Sequence, residues 1–340
     1  GLVNATTGYS TRLSYIDKFN NKYYQIHTHS STQTLPLQAT ANVYLPSPVG
    51  SSFNPRILLA KYDAGNTLVW ATYLPTSPYS IYNDIEVDDD GNVYISGVTN
   101  IQTNLGTSGA FSQDYVLVTD ASGYPRDNGY LIKLNANGQK IWGSYLLGAA
   151  FYIKKFGQSL YAFVNSRQAF STQNLASAGS FQTSDADGAL LSFNINDGSR
   201  NWGTYYGPTT ATDTYLYRGM QVDNTGIYLI GDDYNASLNY FGTAGSYKAQ
   251  KNNSGEIYLT KFNHSGGREW STYFGSSGGS NTVNRASEIS PIALINNEII
   301  ICGNIHGSGN SVGTSSAYQS LPESSVSDAN NFFFANFFLF

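Results

Sequence analysis

Few residues in this chain have the types and spacing to do chemistry. Val-Asp-Asp-Asp-Gly-Asn at 87–92 carries the carboxylates of a calcium loop. Such a loop needs acids at positions one, three and five, Gly at six and Glu at twelve. Counting from Glu86 puts Gly91 at six but Gly97 at twelve, so the motif fails. The aligned Asp-Asn-Thr-Gly at 223–226 marks both stretches as turns between strands. His27 and His29, two apart on one expected strand, share a face and could ligate a metal. No carboxylate or cysteine completes the set, and His264 and His306 lie in other repeats, so surface or packing histidines and no metal are expected.

Paired carboxylates would suit glycoside cleavage, where two flank the bond to be cut. Asp17, Asp88 and Asp223 recur at one repeated position, so a turn explains them. Asp84, Glu86 and Glu288, with Arg218 and Arg285, do not repeat, but they are too scattered to name an acid and a base. No G-x-S-x-G, phosphate-binding loop or H-E-x-x-H is present. Cys302, within Glu-Ile-Ile-Ile-Cys-Gly-Asn, reads as a packed thiol rather than a nucleophile. No catalytic residue and no cofactor are expected, and a glycoside-acting enzyme ranks behind binding functions.

The elements that must position these residues come from a repeat. "ILLAKYDAGNTLVWATYL" from Ile57, "GYLIKLNANGQKIWGSYL" from Gly129, "ALLSFNINDGSRNWGTYY" from Ala189 and "IYLTKFNHSGGREWSTYF" from Ile257 are versions of one phrase. All four tryptophans, Trp70, Trp142, Trp202 and Trp270, fall at the same place in it. A second phrase centres on Tyr23, Tyr94, Tyr161, Tyr228 and Ile301, spaced 71, 67, 67 and 73 residues apart. A third is an aromatic followed by Gln: "GAFSQ", "GSFQ", "GSYKAQ" and "SAYQ".

Each unit thus holds four short strands, A to D, with period-2 alternation or apolar runs bounded by Gly, Asn and Asp. Four antiparallel strands recurring about every 68 residues are the plan of a propeller blade. The expectation is an all-β, five-bladed β-propeller spanning residues 1–340 as one domain. Its units are about 9–75, 76–147, 148–207, 208–275 and 276–340 plus 1–8. The Phe-rich 331–337 is the fifth C strand, and residues 1–8 are expected beside it, closing the ring and covering an edge. The repeated tryptophans are expected to pack between neighbouring blades.

The K-[LFY]-x-x-x-G…W-x-[TS]-Y and V-D-x-x-G-N-x-Y-x-x-G phrases resemble the β-propeller repeats of exported Bacteroidetes proteins. The resemblance covers nearly the whole chain. It implies the propeller fold and association with the type nine secretion system. Proteins of that group often end in a sorting domain, whereas here nothing follows Phe340. The resemblance then implies a periplasmic or outer-membrane-associated chain, with a secretion-machinery protein as partner and a role as gate or accessory subunit of the translocon.

Bulk properties agree with export. Charged residues make up only 12% of the 340, with Gly, Asn, Ser, Thr and Tyr in their place. The net charge of −5 excludes a nucleic-acid partner, which needs a basic face. No run reaches the ~18 apolar residues of a membrane helix. The absence of an initiating Met reads as a mature chain whose signal has been removed.

Loop length places the expected binding face. The A–B and C–D turns are tight, whereas the B–C connections, at 28–55, 98–128, 165–187, 232–256 and 304–330, are long, and the D–A connections vary. Long loops on a rigid scaffold carry function. The candidates are Tyr79, Tyr82, Tyr115, Tyr124, Tyr215, Tyr217, Arg218, Tyr234, Tyr240 and Arg285. Rigid aromatics among small polar residues make binding surface at low entropic cost. An envelope protein is the expected partner, and a cell-surface glycan bound by an adhesin is the alternative.

Overall fold

The computed structural model describes residues 3–4, 9–28, 37–49, 56–77, 83–119, 123, 125–165, 174–186, 188–208, 215–234, 239–251, 255–275, 281–283, 290–296, 298–306 and 330–338. They contain strands, turns and loops and no helix.

The first sheet runs β1 (Val3–Asn4), β2 (Tyr9–Ile16), β3 (Lys22–Thr28), β4 (Ile57–Tyr62) and β5 (Leu68–Tyr73), bonded in that order. Next come β6 (Asp84–Val87), β7 (Val93–Thr99), a small ribbon of β8 (Val118–Thr119) with β9 (Pro125–Arg126), then β10 (Asn128–Leu134) and β11 (Lys140–Leu146). The second sheet is ordered β11-β10-β7-β6. The third is β12 (Ala149–Phe156), β13 (Ser159–Asn165), β14 (Gly188–Asn194) and β15 (Arg200–Tyr206). The fourth is β16 (Tyr215–Asp223), β17 (Gly226–Asp233), β18 (Glu256–Phe262) and β19 (Arg268–Phe274). In the fifth, β20 (Asn281–Val283) and β21 (Ile292–Ile295) both pair with β22 (Glu298–His306), which pairs with β23 (Asn330–Phe338). These are the expected A–B–C–D rows, except that the fifth A strand is in two pieces and no described strand lies outside β23.

The N-terminus differs from expectation. Val3 and Asn4 lie opposite Ser10 and Tyr9, so β1 is a hairpin partner of β2, where the sequence put residues 1–8 beside 331–337. A hairpin closes a very short loop, which costs far less chain entropy than a pairing across the whole sequence.

Turn chemistry explains the A–B connections. Asp17 Oδ1 accepts the N–H groups of Phe19 and Asn21, each at 2.9 Å, and Asp88 Oδ1 accepts those of Asp90 and Asn92 at 3.0 and 2.9 Å. Asp223 Oδ1 accepts Thr225 N–H at 2.7 Å. These carboxylates hold turns.

The chain forms two compact units, Gly1–Leu175 with Ala189–Gly203, and Ala176–Gly188 with Thr204–Phe340. In the first, apolar residues of the first two sheets share one core, including Ile57, Leu59, Ile95, Tyr130 and Ile132. In the second, Ile230, Leu259 and Phe274 of the fourth sheet pack with Ile292, Ile301 and Phe333 of the fifth. Cys302 is half-buried, with burial raising its thiol pKa.

Candidate functional site

The repeated aromatics form a joint. In each of the first four sheets the B-strand Tyr meets the D-strand Trp of the same sheet: Tyr23 with Trp70, Tyr94 with Trp142, Tyr161 with Trp202 and Tyr228 with Trp270, at 6.2–6.5 Å between centroids. The C-strand lysines Lys61, Lys133 and Lys261 lie over Tyr23, Tyr94 and Tyr228. Trp70 Nε1 donates to Ala136 O at 2.8 Å, and Trp142 Nε1 to Ile195 O at 2.9 Å, each in the C–D turn of the following sheet. Trp70 and Trp142 are buried, and Trp202 and Trp270 half-buried.

The long B–C connections do not project outward as loops over their described lengths. In the first four sheets the described part lies as a strap along the outer edge of its own D strand. In the first sheet Thr40 N–H bonds Ala71 O and Tyr73 N–H bonds Leu45 O. The second repeats this with Thr107 to Gly143 and Tyr145 to Ser112, and the fourth with Thr243 to Ser271 and Tyr273 to Lys248. The Ser or Thr after each Trp receives a strap N–H: Thr72 from Leu45, Ser144 from Ser112, Thr204 from Gln182 and Thr272 from Lys248, at 2.8–2.9 Å. An outer strand leaves a row of unpaired backbone groups, and the strap satisfies them.

The straps' aromatics reach the next sheet. Lys140 sits over Tyr44, Arg200 over Phe111 and Arg268 over Phe181, 4.6–5.3 Å from the ring centroids. Each of these cations is the first residue of a D strand.

The densest polar group lies in the fourth sheet, at the end that carries its B–C connection. Asp232, Asp233 and Glu256 are fully buried. Arg218 Nε meets Asp232 at 2.9 Å, Lys251 Nζ meets Asp233 at 2.7 Å and Lys248 Nζ meets Glu256 at 2.6 Å. Asp233 also accepts Tyr273 Oη at 2.8 Å. Burial first, then the Asp233 charge, push the Tyr273 phenol well up. Around these pairs stand Tyr217, whose hydroxyl donates to Tyr206 O at 2.6 Å, and Tyr258, stacked on Phe241 at 3.9 Å. Tyr240 bonds Gln182 and packs on Tyr206. Three anions and three cations neutralise one another and tie Lys248 and Lys251 of the strap to strands β17 and β18.

Of the ten candidate residues, the structure brings Tyr217, Arg218 and Tyr240 to this one rim, with Tyr234 half-buried just beyond Asp233. Tyr215 lies in β16 opposite Asp233. Tyr115 is in the first unit, edge-on to Tyr145 at 5.5 Å. Tyr79, Tyr82, Tyr124 and Arg285 lie outside the described residues, as does Glu288. The sequence reading passed over Asp232, Asp233, Lys248, Lys251 and Glu256. Gly-Asp-Asp closing the apolar Ile-Tyr-Leu-Ile of β17 was the available signal, because adjacent acids in a buried strand need partners.

Asp84 and Glu86 form a second, separate cluster in the first unit. Asp84 accepts the N–H of Ile153 at 2.8 Å, and Glu86 pairs with Lys154. Burial lifts Glu86 to about 7 against the pull of Lys154, and raises Asp84 as well. Burial would lower Lys154, but Glu86 and Asp84 outweigh it and raise its pKa. No group of three or more His, Cys, Asp and Glu able to hold a metal occurs among the described residues.

Comparison with known proteins adds the repeat. Residues 69–106, from the end of the Trp70 phrase through the β6–β7 hairpin, match the family model of a beta-propeller repeat. No curated protein matches the sequence. Among solved structures, BamB from Moraxella catarrhalis is 14% identical with a TM-score of 0.24, covering 85% of this chain and 81% of that one. An ulvan lyase from a new family of polysaccharide lyases is 11% identical with a TM-score of 0.36, over 97% of this chain and 66% of that one. Pyrococcus horikoshii acylaminoacyl peptidase is 9% identical with a TM-score of 0.34, over 88% and 44%. Likenesses this distant assign no activity.

Proposed function

We propose that this chain is a non-catalytic, five-bladed propeller that binds a protein partner in the cell envelope through the rim carrying its B–C connections. One observation carries this reading. The three buried ion pairs of the fourth sheet spend their charges on one another and hold the Tyr-bearing strap against the sheet. Ions paired in this way are poor acid–base catalysts, whereas a pre-ordered aromatic rim lowers the entropic cost of binding. The sequence resemblance favours a component of the secretion machinery as the partner class, with this chain as its gate or accessory subunit.

The test is affinity capture from the envelope with wild-type bait and with a Tyr234→Ala/Tyr240→Ala bait of unchanged melting temperature. One envelope protein enriched by the wild type and lost with the double variant is the expected result. Equal recovery by both baits would refute the rim. Binding of the isolated chain on a glycan array would replace the protein-partner reading with the adhesin one.

A further inference from the structure

The fifth sheet breaks a pattern that the other sheets keep. Among the described residues no strand pairs with the outer edge of β23, although β4, β10 and β18 each carry a D strand there. The edge is also undefended. Asn-Asn-Phe-Phe-Phe-Ala-Asn-Phe-Phe holds no charge and no Pro, the devices that keep an exposed edge from pairing. Tyr247 has the same deficit from the other side. It is the strap aromatic of the fourth sheet, equivalent to Tyr44, Phe111 and Phe181, each of which is covered by the leading cation of the next D strand. Tyr247 is 70% exposed, touching Phe337 and Phe274 at 6.0 and 6.3 Å.

Register says what would fit. B-strand Tyr94 pairs with Lys133, which pairs with Trp142, and Tyr228, Lys261 and Trp270 repeat this. In the fifth sheet Ile295 lies opposite Glu298 as Asp223 lies opposite Gly226, so the counterpart of Tyr228 is Ile300, one residue before the Ile301 that the sequence suggested. Ile300 pairs with Asn336, so the position outside Asn336 belongs to an aromatic. The residue opposite Leu134 or Phe262 is Lys140 or Arg268, so a cation belongs outside Phe337. Phe337 touches the Tyr247 ring, which puts that cation beside Tyr247 as Lys140 stands over Tyr44. The position outside Phe334 belongs to Ser or Thr, as Thr272 lies opposite Leu259.

We propose that the open edge of β23 is a docking site for an extended segment of a partner polypeptide, running antiparallel, with the pattern cation–x–aromatic–small–Ser/Thr–aromatic. The backbone ladder would give affinity, and the Tyr247 ring would select the leading cation. This surface is separate from the rim proposed above.

The probe is the heptapeptide Lys-Ile-Trp-Gly-Ser-Tyr-Leu, the sequence of 140–146, titrated into the full chain by fluorescence anisotropy with hydrogen exchange as readout. Saturable binding is expected, with slowed exchange in 330–338 and loss on scrambling the peptide. Tyr247→Ala should weaken binding about fivefold, as should replacing the peptide's Lys by Glu. No saturable binding, or binding indifferent to Tyr247→Ala with protection elsewhere, would overturn the proposal. So would binding that appears only after deletion of residues 1–8, which would make the chain's own N-terminus the occupant. A concentration-dependent dimer that excludes the peptide would make the occupant a second copy and overturn it as well.

Discussion

The indole Nε1 of Trp70 donates to the carbonyl of Ala136, 2.8 Å away, and two residues on, Gly138 lies directly beneath the same ring. A Cβ added at Gly138 would stand 2.9 Å from Trp70 Cδ2, and its φ of +78° suits glycine. Gly198 repeats this under Trp142, with a φ of +74° and a Cβ approach of 2.7 Å. The Trp of one repeat and the Gly of the next are two halves of one joint.

Trp70→Ala should therefore cost about 3–5 kcal/mol, and Gly138→Ala about 1–3 kcal/mol from strain at positive φ. Urea denaturation of the single and double variants checks this. Because both act on one joint, the double should fall short of the sum.

Breaking a buried pair leaves an uncompensated charge. Lys251→Met, which strands Asp233, should destabilise by about 3–5 kcal/mol, whereas pairing it with Asp233→Leu should recover most of the loss. Thermal and chemical denaturation of the three proteins measure it. Equal stability of Lys251→Met and wild type would show that the pair does not anchor the strap.

Ser144→Ala removes the acceptor for Ser112 N–H while leaving the D strand intact. The expected loss is about 1 kcal/mol. Amide exchange at Ser112 and Tyr145 should accelerate, since Tyr145 N–H bonds Ser112 O in the same clip. Unchanged exchange at both would mean the hydroxyl contributes nothing to holding the strap.

Glu86 makes stability depend on pH. Its folded pKa is raised to about 7 from an unfolded 4.5, so the folded state binds the proton more tightly. Its contribution is full below 4.5 and is lost as pH rises through about 7. Relative to Glu86→Gln, wild type should lose up to roughly 3 kcal/mol between those limits. Denaturation of both proteins from pH 4 to pH 8 measures the difference. A gap that stays constant would mean that the folded and unfolded pKa values of Glu86 coincide. One that moves in wild type's favour as pH rises would mean that Lys154 keeps Glu86 ionised in the fold.

What the sequence determined by itself was the part set by short-range chemistry. Alternation over six or seven residues marks a strand, Asp and Asn side chains bond backbone two to four positions on, and a Trp recurring in register marks a repeat. From these, strands A to D, their turns and the all-β repeat could be read without coordinates. Only the tertiary structure decided where the long connections go. Leu45 finds Thr72 and Lys248 finds Thr272 across more than twenty residues, a pairing set by where the sheet leaves backbone groups open. It likewise placed Lys154 of β12 against Glu86 of β6, and Val3 beside Ser10. Burial and charge pairing are properties of the space between strands, and residues far apart in the chain fill that space together.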